Sequence, residues 1–575
     1  MLATAKSKLS IFTHSSRFDL IWLTAFLGIL FFLFLGSYPL FSPDEGRYSE
    51  VAREMLATGN FITPHVNGVV FLDKPILFYW LQAFSIKLFG LNEWAIRLWP
   101  ALFGIFGCLL TYLAGRKLYD RRTGLLSALI LASAPLYFGA AHYANLDLEV
   151  AVLISAALFC SLMAFHSESK RETSILFILA YVFAGFATLT KGMMGIVFPM
   201  MIIGSWILIT NRWRMILHMR LFSGLLVFLL ITLPWFLLVQ KETPQFFHFF
   251  FITQQASRFL TADTFNNKTH LWFYLPIVLL GFFPWVFFLC QAFLQKLKMV
   301  FGAFRTSSVE LFLLLWIFLI FIFFSIPGSK IPGYILPIFP PIALLIGNFI
   351  STYWDDLPKP SGIKTGTIIY SLFSFSLAIL CFSVTKISMI KIPEGLLPAI
   401  YIIGSALFIS CVFSLFLYKK KFAASFLLLF FTIIFCLLTA VKSLPIINQK
   451  SIKPFATYLK KIIKPNDEVV TFYNYYQDLP IYLERRITIV YKWDDPNIPN
   501  KDTFEREFWY SMPYQDTHEW LIMDKTFLER WHSKKRLFVF LYKDDVRDFE
   551  NNVHSKTYHL KQNGRIFLVS NQPEN

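Results

Sequence analysis

Long apolar runs alternate with short charged connections over the first three quarters of the chain, after which the pattern changes. A helix needs roughly 20 apolar residues to cross a bilayer core of about 30 Å. Such runs are read near 18–38, 94–114, 123–141, 148–165, 174–190, 193–210, 221–239, 273–294, 308–326, 335–353, 367–387, 398–417 and 423–443. They predict about 13 membrane-spanning helices; the pair 174–190 and 193–210 is separated only by Lys191 and Gly192. Beyond residue 450 the runs shorten. DEVVTF (467–472), ITIVY (487–491) and LFVFL (537–541) read as strands, and Asn563-Gly564 between KQ and RIFLV reads as a hairpin turn. The expected architecture is a multispan α-helical membrane domain over 1–449 followed by a soluble α/β domain over 450–575.

Composition agrees. Of 575 residues, 56% are hydrophobic and only 15% charged, against a soluble norm of roughly 25%. An ordinary soluble enzyme, a disordered chain and a disulfide scaffold are excluded. The net charge of +17 suggests a nucleic-acid binder until it is located. Residues 1–449 hold about 33 basic and 18 acidic side chains, the tail about 20 and 18. The excess thus falls in clusters between apolar runs, and nucleic acid is not expected as a partner.

Those clusters orient the chain. With the N-terminus inside, cytoplasmic connections carry Arg116, Lys117, Arg121 and Arg122, then Lys170 and Arg171, then Arg212, Arg214 and Arg220. Later ones carry Lys296, Lys298 and Arg305, then Lys359 and Lys364, then Lys419, Lys420 and Lys421. An odd number of spans then puts the tail outside. The first run is long and lacks a small-residue cleavage site, so it reads as a retained helix. All six cysteines lie in apolar runs, which argues against a disulfide framework or a Cys-based zinc site. No Gly-rich nucleotide loop is present, so ATP-driven transport is not expected.

Two outward connections, 39–93 and 240–272, are too long for turns. The first contains Ser42-Pro43-Asp44-Glu45, matching a helix capping box with Pro43 at the first helical position. Tyr48, Val51, Ala52, Met55 and Leu56 then form one apolar stripe that stops at Gly59-Asn60, predicting an amphipathic helix on the outer membrane face. Glu45 reads first as a cap. Asp44 is balanced between complementing the helix dipole and serving as an active-site carboxylate. Asp73-Lys74-Pro75 reads either as a surface ion pair or as a lysine held at headgroup depth to bind phosphate. Asp147, at the edge of a span, is a functional candidate by default, with Glu149 beside it. Lone outward cations are most often snorkelling anchors. Lys74, Lys191, Arg258 and Lys330 all falling outside, against the positive-inside trend, points to a collective anion site.

SPDEGRYSEVAREML, FLDKPILFYW, ANLDLE, the SRF element and SKIPGYILPIFPP, in that order, resemble the bacterial aminoarabinose lipid A transferases. These belong to the GT-C superfamily of polyprenyl-phosphate-dependent membrane glycosyltransferases, which includes the protein O-mannosyltransferases. The resemblance implies an inner-membrane enzyme with a periplasmic cavity and a periplasmic C-terminal domain, using an undecaprenyl-phosphate-linked sugar as donor and lipid A or another periplasmic group as acceptor. It maps Asp44 and Asp147 onto the family's outward acids, and Lys74 and Arg258 onto the cations that grip the donor phosphate. Lys330 and Tyr334 fall in the matching Ser-Lys-x-Pro-x-Tyr turn, and Lys191 joins the phosphate-binding set. Asp73 stands where relatives commonly carry Glu, which some use near a divalent metal. A histidine that many relatives carry before Arg258 is replaced by Gln254-Gln255. No cofactor follows from the residues themselves.

Three functions therefore compete: a lipid A glycosyltransferase, a protein O-glycosyltransferase, and a transporter of lipid-linked sugars. Transporters often show inverted repeats and helices broken at midplane. Here the charged features lie in outward loops and no repeat is evident, which disfavours transport.

Overall fold

Every apolar run read from the sequence is mostly helical over its described residues in the structure, a computed structural model that describes residues 14–257, 269–302, 308–356, 359–386, 392–448, 451–501 and 503–574. Among the described residues, nine helices are long and apolar enough to cross a membrane, or up to eleven if each of two sharply bent pairs is one span. The expectation of 13 exceeds that by the helices His14–Phe32 and Met194–Thr210, of 19 and 17 residues. The bent pairs are Arg121–Ala132 with Pro135–Ala141, at 68°, and Leu271–Gly281 with Val286–Val300, at 112°. Pro284 lies inside the second break and Pro135 opens the helix after the first; in each case the missing N–H cannot continue the preceding helical ladder.

Contacts divide the chain into two units: Met1–Leu35, Arg97–Phe236 and Asn267–Ile447 in the first, and Gly36–Ile96, Leu237–Asn266 and Asn448–Asn575 in the second.

In the first unit, the helix Leu146–Phe165 is buried along its whole length. It is apolar on every side, the pattern of a central helix, and its Ala151, Ser155, Ala156 and Ala157 let neighbouring backbones approach closely. Helices Leu221–Glu242 and Leu397–Lys420 instead expose large apolar side chains such as Phe222, Leu230 and Phe416. Such a surface belongs in lipid. The chain is a multispan membrane protein.

The second unit joins the long connection 39–93 to the tail. Strands β1 (His65–Val66) and β2 (Val69–Val70) form a hairpin whose Asn67-Gly68 turn has φ of 50° and 75°, the left-handed pair that a two-residue turn requires. The Asn67 amide accepts the Ile487 N–H and donates to the Ile487 carbonyl, both at 2.8 Å, tying the hairpin to the tail.

The tail folds as a six-stranded sheet of β3 (Glu468–Phe472), β4 (Thr488–Val490), β5 (Leu521–Ile522), β6 (Leu537–Tyr542), β7 (Tyr558–Asn563) and β8 (Ile566–Ser570). Its order is β5-β4-β3-β6-β8-β7, with β5, β4, β3 and β6 parallel and β8 antiparallel to both β6 and β7. The strand period of two sends Val469, Phe538 and Phe540 to one face and Val470, Val539 and Leu541 to the other. Each face is covered by helices, Lys453–Ile462 on the first, and Asp524–Trp531 with Val546–Val553 on the second. The predicted strands are present. The last turn is displaced by one residue, however: Asn563 pairs with Ile566, so Gly564-Arg565 make the loop, with Gly564 at φ 57°.

Candidate active site

The sequence-predicted residues fall into two clusters, one in each unit. In the first unit, the Asn145 side chain accepts the Asp147 N–H at 3.0 Å and caps Leu146–Phe165. Asp147 therefore sits in the first turn, where the helix dipole favours an anion. Lys191 is the last residue of Lys170–Lys191, where a cation is favoured, and Gly192 at φ 77° ends that helix. The Lys191 ammonium donates to Asp147 Oδ1 and lies 4.2 Å from the centre of the Tyr334 ring. Gly333 is required by proximity: a Cβ there would run into the Asp147 carboxylate. The free space beside this pair is about 10 Å³, room for one water.

Lys330 stands in the same turn, 4% exposed, its ammonium 3.2 Å from the Thr269 carbonyl. Burial pulls it below the ordinary lysine value, and among the described residues no carboxylate offsets the loss. A buried cation that meets only a neutral acceptor among the described residues is short of negative charge there.

The second unit carries Asp44, Asp73 and Lys74. The helix Asp44–Thr58 begins after Pro43, so the predicted Ser42 cap does not form. Glu45 nevertheless reaches back and accepts the Phe41 N–H at 2.8 Å, which bears out its reading as a cap. Tyr48, Val51, Ala52 and Met55 are buried as the stripe required, and Gly59 at φ 74° closes the helix. The opposite face is not in water: Glu45, Ser49, Glu50 and Glu54 are buried too. This corrects the picture of a helix lying on the membrane with a wet polar side. Gly46 shows why, since a Cβ there would meet the Asp478 backbone nitrogen at 2.5 Å. Glu54 Oε1 accepts the Gly68 N–H at 2.7 Å, and burial next to Glu50 pushes its carboxyl up to about 8.

Lys74 Nζ donates to Asp73 Oδ2 at 2.8 Å. Around this pair lie groups that the sequence reading did not single out. Arg47 donates to Glu507 Oε1 at 2.8 Å, and its guanidinium carbon lies 5.9 Å from the Phe71 ring. Burial disfavours the Arg47 charge, but Glu507, Tyr48, Asp44 and Asp73 together hold it more firmly protonated. Burial raises Glu507, with Arg47 partly opposing. Arg47 had a signal, lying three residues after Asp44 on one helix face; Glu507, some 460 residues away in sequence, had none. Among the described residues no group of three or more His, Cys, Asp or Glu side chains could hold a metal; Asp73 is engaged by Lys74. Arg258 lies outside the described residues.

A sequence profile described as dolichyl-phosphate-mannose-protein mannosyltransferase matches residues 73–237. The chain is 33% identical over 338 residues to an Enterobacter sp. (strain 638) protein, covering 58% of this chain and 59% of that one. It is also 33% identical over 322 residues to a Pseudomonas aeruginosa protein, covering 56% and 57%. Both are undecaprenyl phosphate-alpha-4-amino-4-deoxy-L-arabinose arabinosyl transferases. The matched part thus spans under two thirds of those relatives' length. In fold, the chain matches the ArnT crystal structure from Cupriavidus metallidurans bound to undecaprenyl phosphate, with a TM-score of 0.84 and 24% identity over 97% of this chain and 98% of that one. The apo form of that protein matches with a TM-score of 0.82. The resemblance read from the motifs is borne out, as is the GT-C fold class.

Proposed function

We propose that this multispan membrane chain, which shares the ArnT fold, is a glycosyltransferase of the bacterial inner membrane. It moves an aminoarabinose-like sugar from undecaprenyl phosphate to lipid A or a related acceptor on the periplasmic side, with the N-terminus in the cytoplasm and residues 450–575 in the periplasm. The observation that carries this reading is Lys330, a buried ammonium with a carbonyl and, among the described residues, no carboxylate against it, in a segment of matching motifs.

A sugar on a lipid phosphate leaves readily once the departing phosphate charge is stabilised. Cations fixed in place before the reaction supply that stabilisation, usually the largest catalytic contribution. Lys330, Lys74 and Arg258 are assigned to the donor phosphate. Lys191 and Tyr334 complete that set, and Lys191 also holds Asp147. Lys74 exchanges its Asp73 partner for the phosphate, so it enters the site already desolvated and oriented. Asp44 and Asp147 act on the reacting groups. A lipid A phosphate arrives as an anion and needs no base, so there Asp44 orients sugar or acceptor; with a hydroxyl acceptor it takes the proton. Asp73 is the residue that would ligate a divalent metal if one is used.

The test is transfer by purified protein from an undecaprenyl-phosphate aminosugar to lipid A, followed by mass spectrometry. An aminopentose increment on lipid A is expected, lost in Lys330→Ala and Lys74→Ala while both still fold. Donor that survives incubation with lipid A and with periplasmic proteins alike would refute the proposal.

A further inference from the structure

A cleft of about 340 Å³ in the second unit takes no part in this chemistry. Its volume lies in the range of ligand sites, about 300–1,000 Å³. Two of its walls are fixed from behind. Asn60 Oδ1 accepts the N–H groups of Ile62 and Thr63 at 2.9 and 3.1 Å, and the Thr63 hydroxyl donates to Glu242 Oε2 at 2.5 Å.

His65 supplies the decisive group. Its Nδ1 lies 2.8 Å from the Thr63 carbonyl, which can only accept, so Nδ1 carries the proton. Burial pulls the ring below its ordinary pKa and keeps it neutral, the Thr63 contact and Glu242 opposing and Arg486 assisting. Nε2 is then an acceptor. Glu242 Oε1 is a second, and the amides of Asn60 and Gln245 add donors and acceptors beside them. Among the described residues no lysine or arginine lines the cleft. Arg486, whose charge reaches His65, is stacked 4.0 Å from the Trp520 ring. An anion entering would meet a carboxylate and, among the described residues that line the cleft, no counter-charge. Val70 and Pro244 supply apolar surface for ring C–H groups.

We propose that this cleft binds a saccharide bearing hydroxyls and no negative charge, either neutral or amine-bearing. The sugar O–H or ammonium groups donate to His65 Nε2 and Glu242, and the amides pair with the remaining hydroxyls. The site goes beyond the transferase reading, because none of its residues is assigned to the reaction.

Saturation-transfer NMR on the full-length protein in nanodiscs tests this with methyl β-glucopyranoside, glucosamine and glucose 6-phosphate as probes. The first two are expected to saturate on the wild type and the phosphate ester not to; the weaker of the two responders separates the neutral from the amine-bearing case. His65→Ala should weaken binding about tenfold, the loss of one hydrogen bond. Glu242→Gln keeps an acceptor for Thr63, so it should retain the glucoside and lose any preference for glucosamine. Glu242→Lys should reverse the selectivity and admit glucose 6-phosphate, an outcome that general loosening cannot produce. Equal signals from all three probes, or the wild-type pattern in both His65→Ala and Glu242→Lys, would overturn the proposal. Saccharide binding without glycosyl transfer would count against the transferase reading alone.

Discussion

Lys191→Met removes the cation from the Asp147 pair and keeps most of the side-chain volume. The two side chains are 7% and 10% exposed. At an effective dielectric of 20, unit charges 4 Å apart interact by about 4 kcal/mol. The ammonium over the Tyr334 ring contributes up to about 2 kcal/mol when desolvated. Methionine regains part of this by packing, while the stranded carboxylate stays buried. Removing one partner of a buried pair costs about 3–5 kcal/mol, and a loss of that size is expected here. In Lys191→Met/Asp147→Asn no charge is left buried, so most of the loss should return. Thermal unfolding of detergent-solubilised protein, run as a double-mutant cycle with glycosyl transfer measured beside it, separates stability from function. Stability should recover in the double variant and transfer should not. A single variant as stable as the wild type, or a double variant less stable than both singles, would refute the reasoning.

Glu54 is protonated in the folded protein up to about pH 8, whereas an unfolded glutamate titrates near 4.3. The folded state binds more protons between these values, so stability should fall as pH rises from about 4.5 to 8 and then level off; Glu54→Gln should flatten that slope in unfolding scans from pH 5 to 9. Gly46→Ala should destabilise by about 1–3 kcal/mol, because its Cβ meets backbone at Gln477 and Asp478 that cannot rotate away; equal thermal stability would dismiss that contact. Gly333→Ala should displace the Asp147 carboxylate and lower turnover more than it lowers stability; unchanged turnover would remove Asp147 from the chemistry.

The sequence by itself determined what could be written as a one-dimensional pattern. Runs of about 20 apolar residues, periods of two between turn residues, and the order of the SPDEGRY, DKP, LDLE and SKIPGY segments all depend on near neighbours in the chain, and the helices and strands they predict are present, with two runs bent and the last hairpin turn shifted by one residue. Asp147 and Lys330 were legible for the same reason: a charge at the edge of an apolar run is conspicuous wherever the chain later goes. Tertiary structure alone decided the partners. That Lys191 closes on Asp147, 44 residues away, that Arg47 meets Glu507, and that Asn67 completes the backbone pairing of Ile487 could not be read from local spacing. Nor could the burial of Glu50 and Glu54. A helical wheel sorts residues into apolar and polar faces, but whether the polar face meets water or protein depends on what packs against it, and here the decision rests on Gly46, where a missing side chain lets another backbone in.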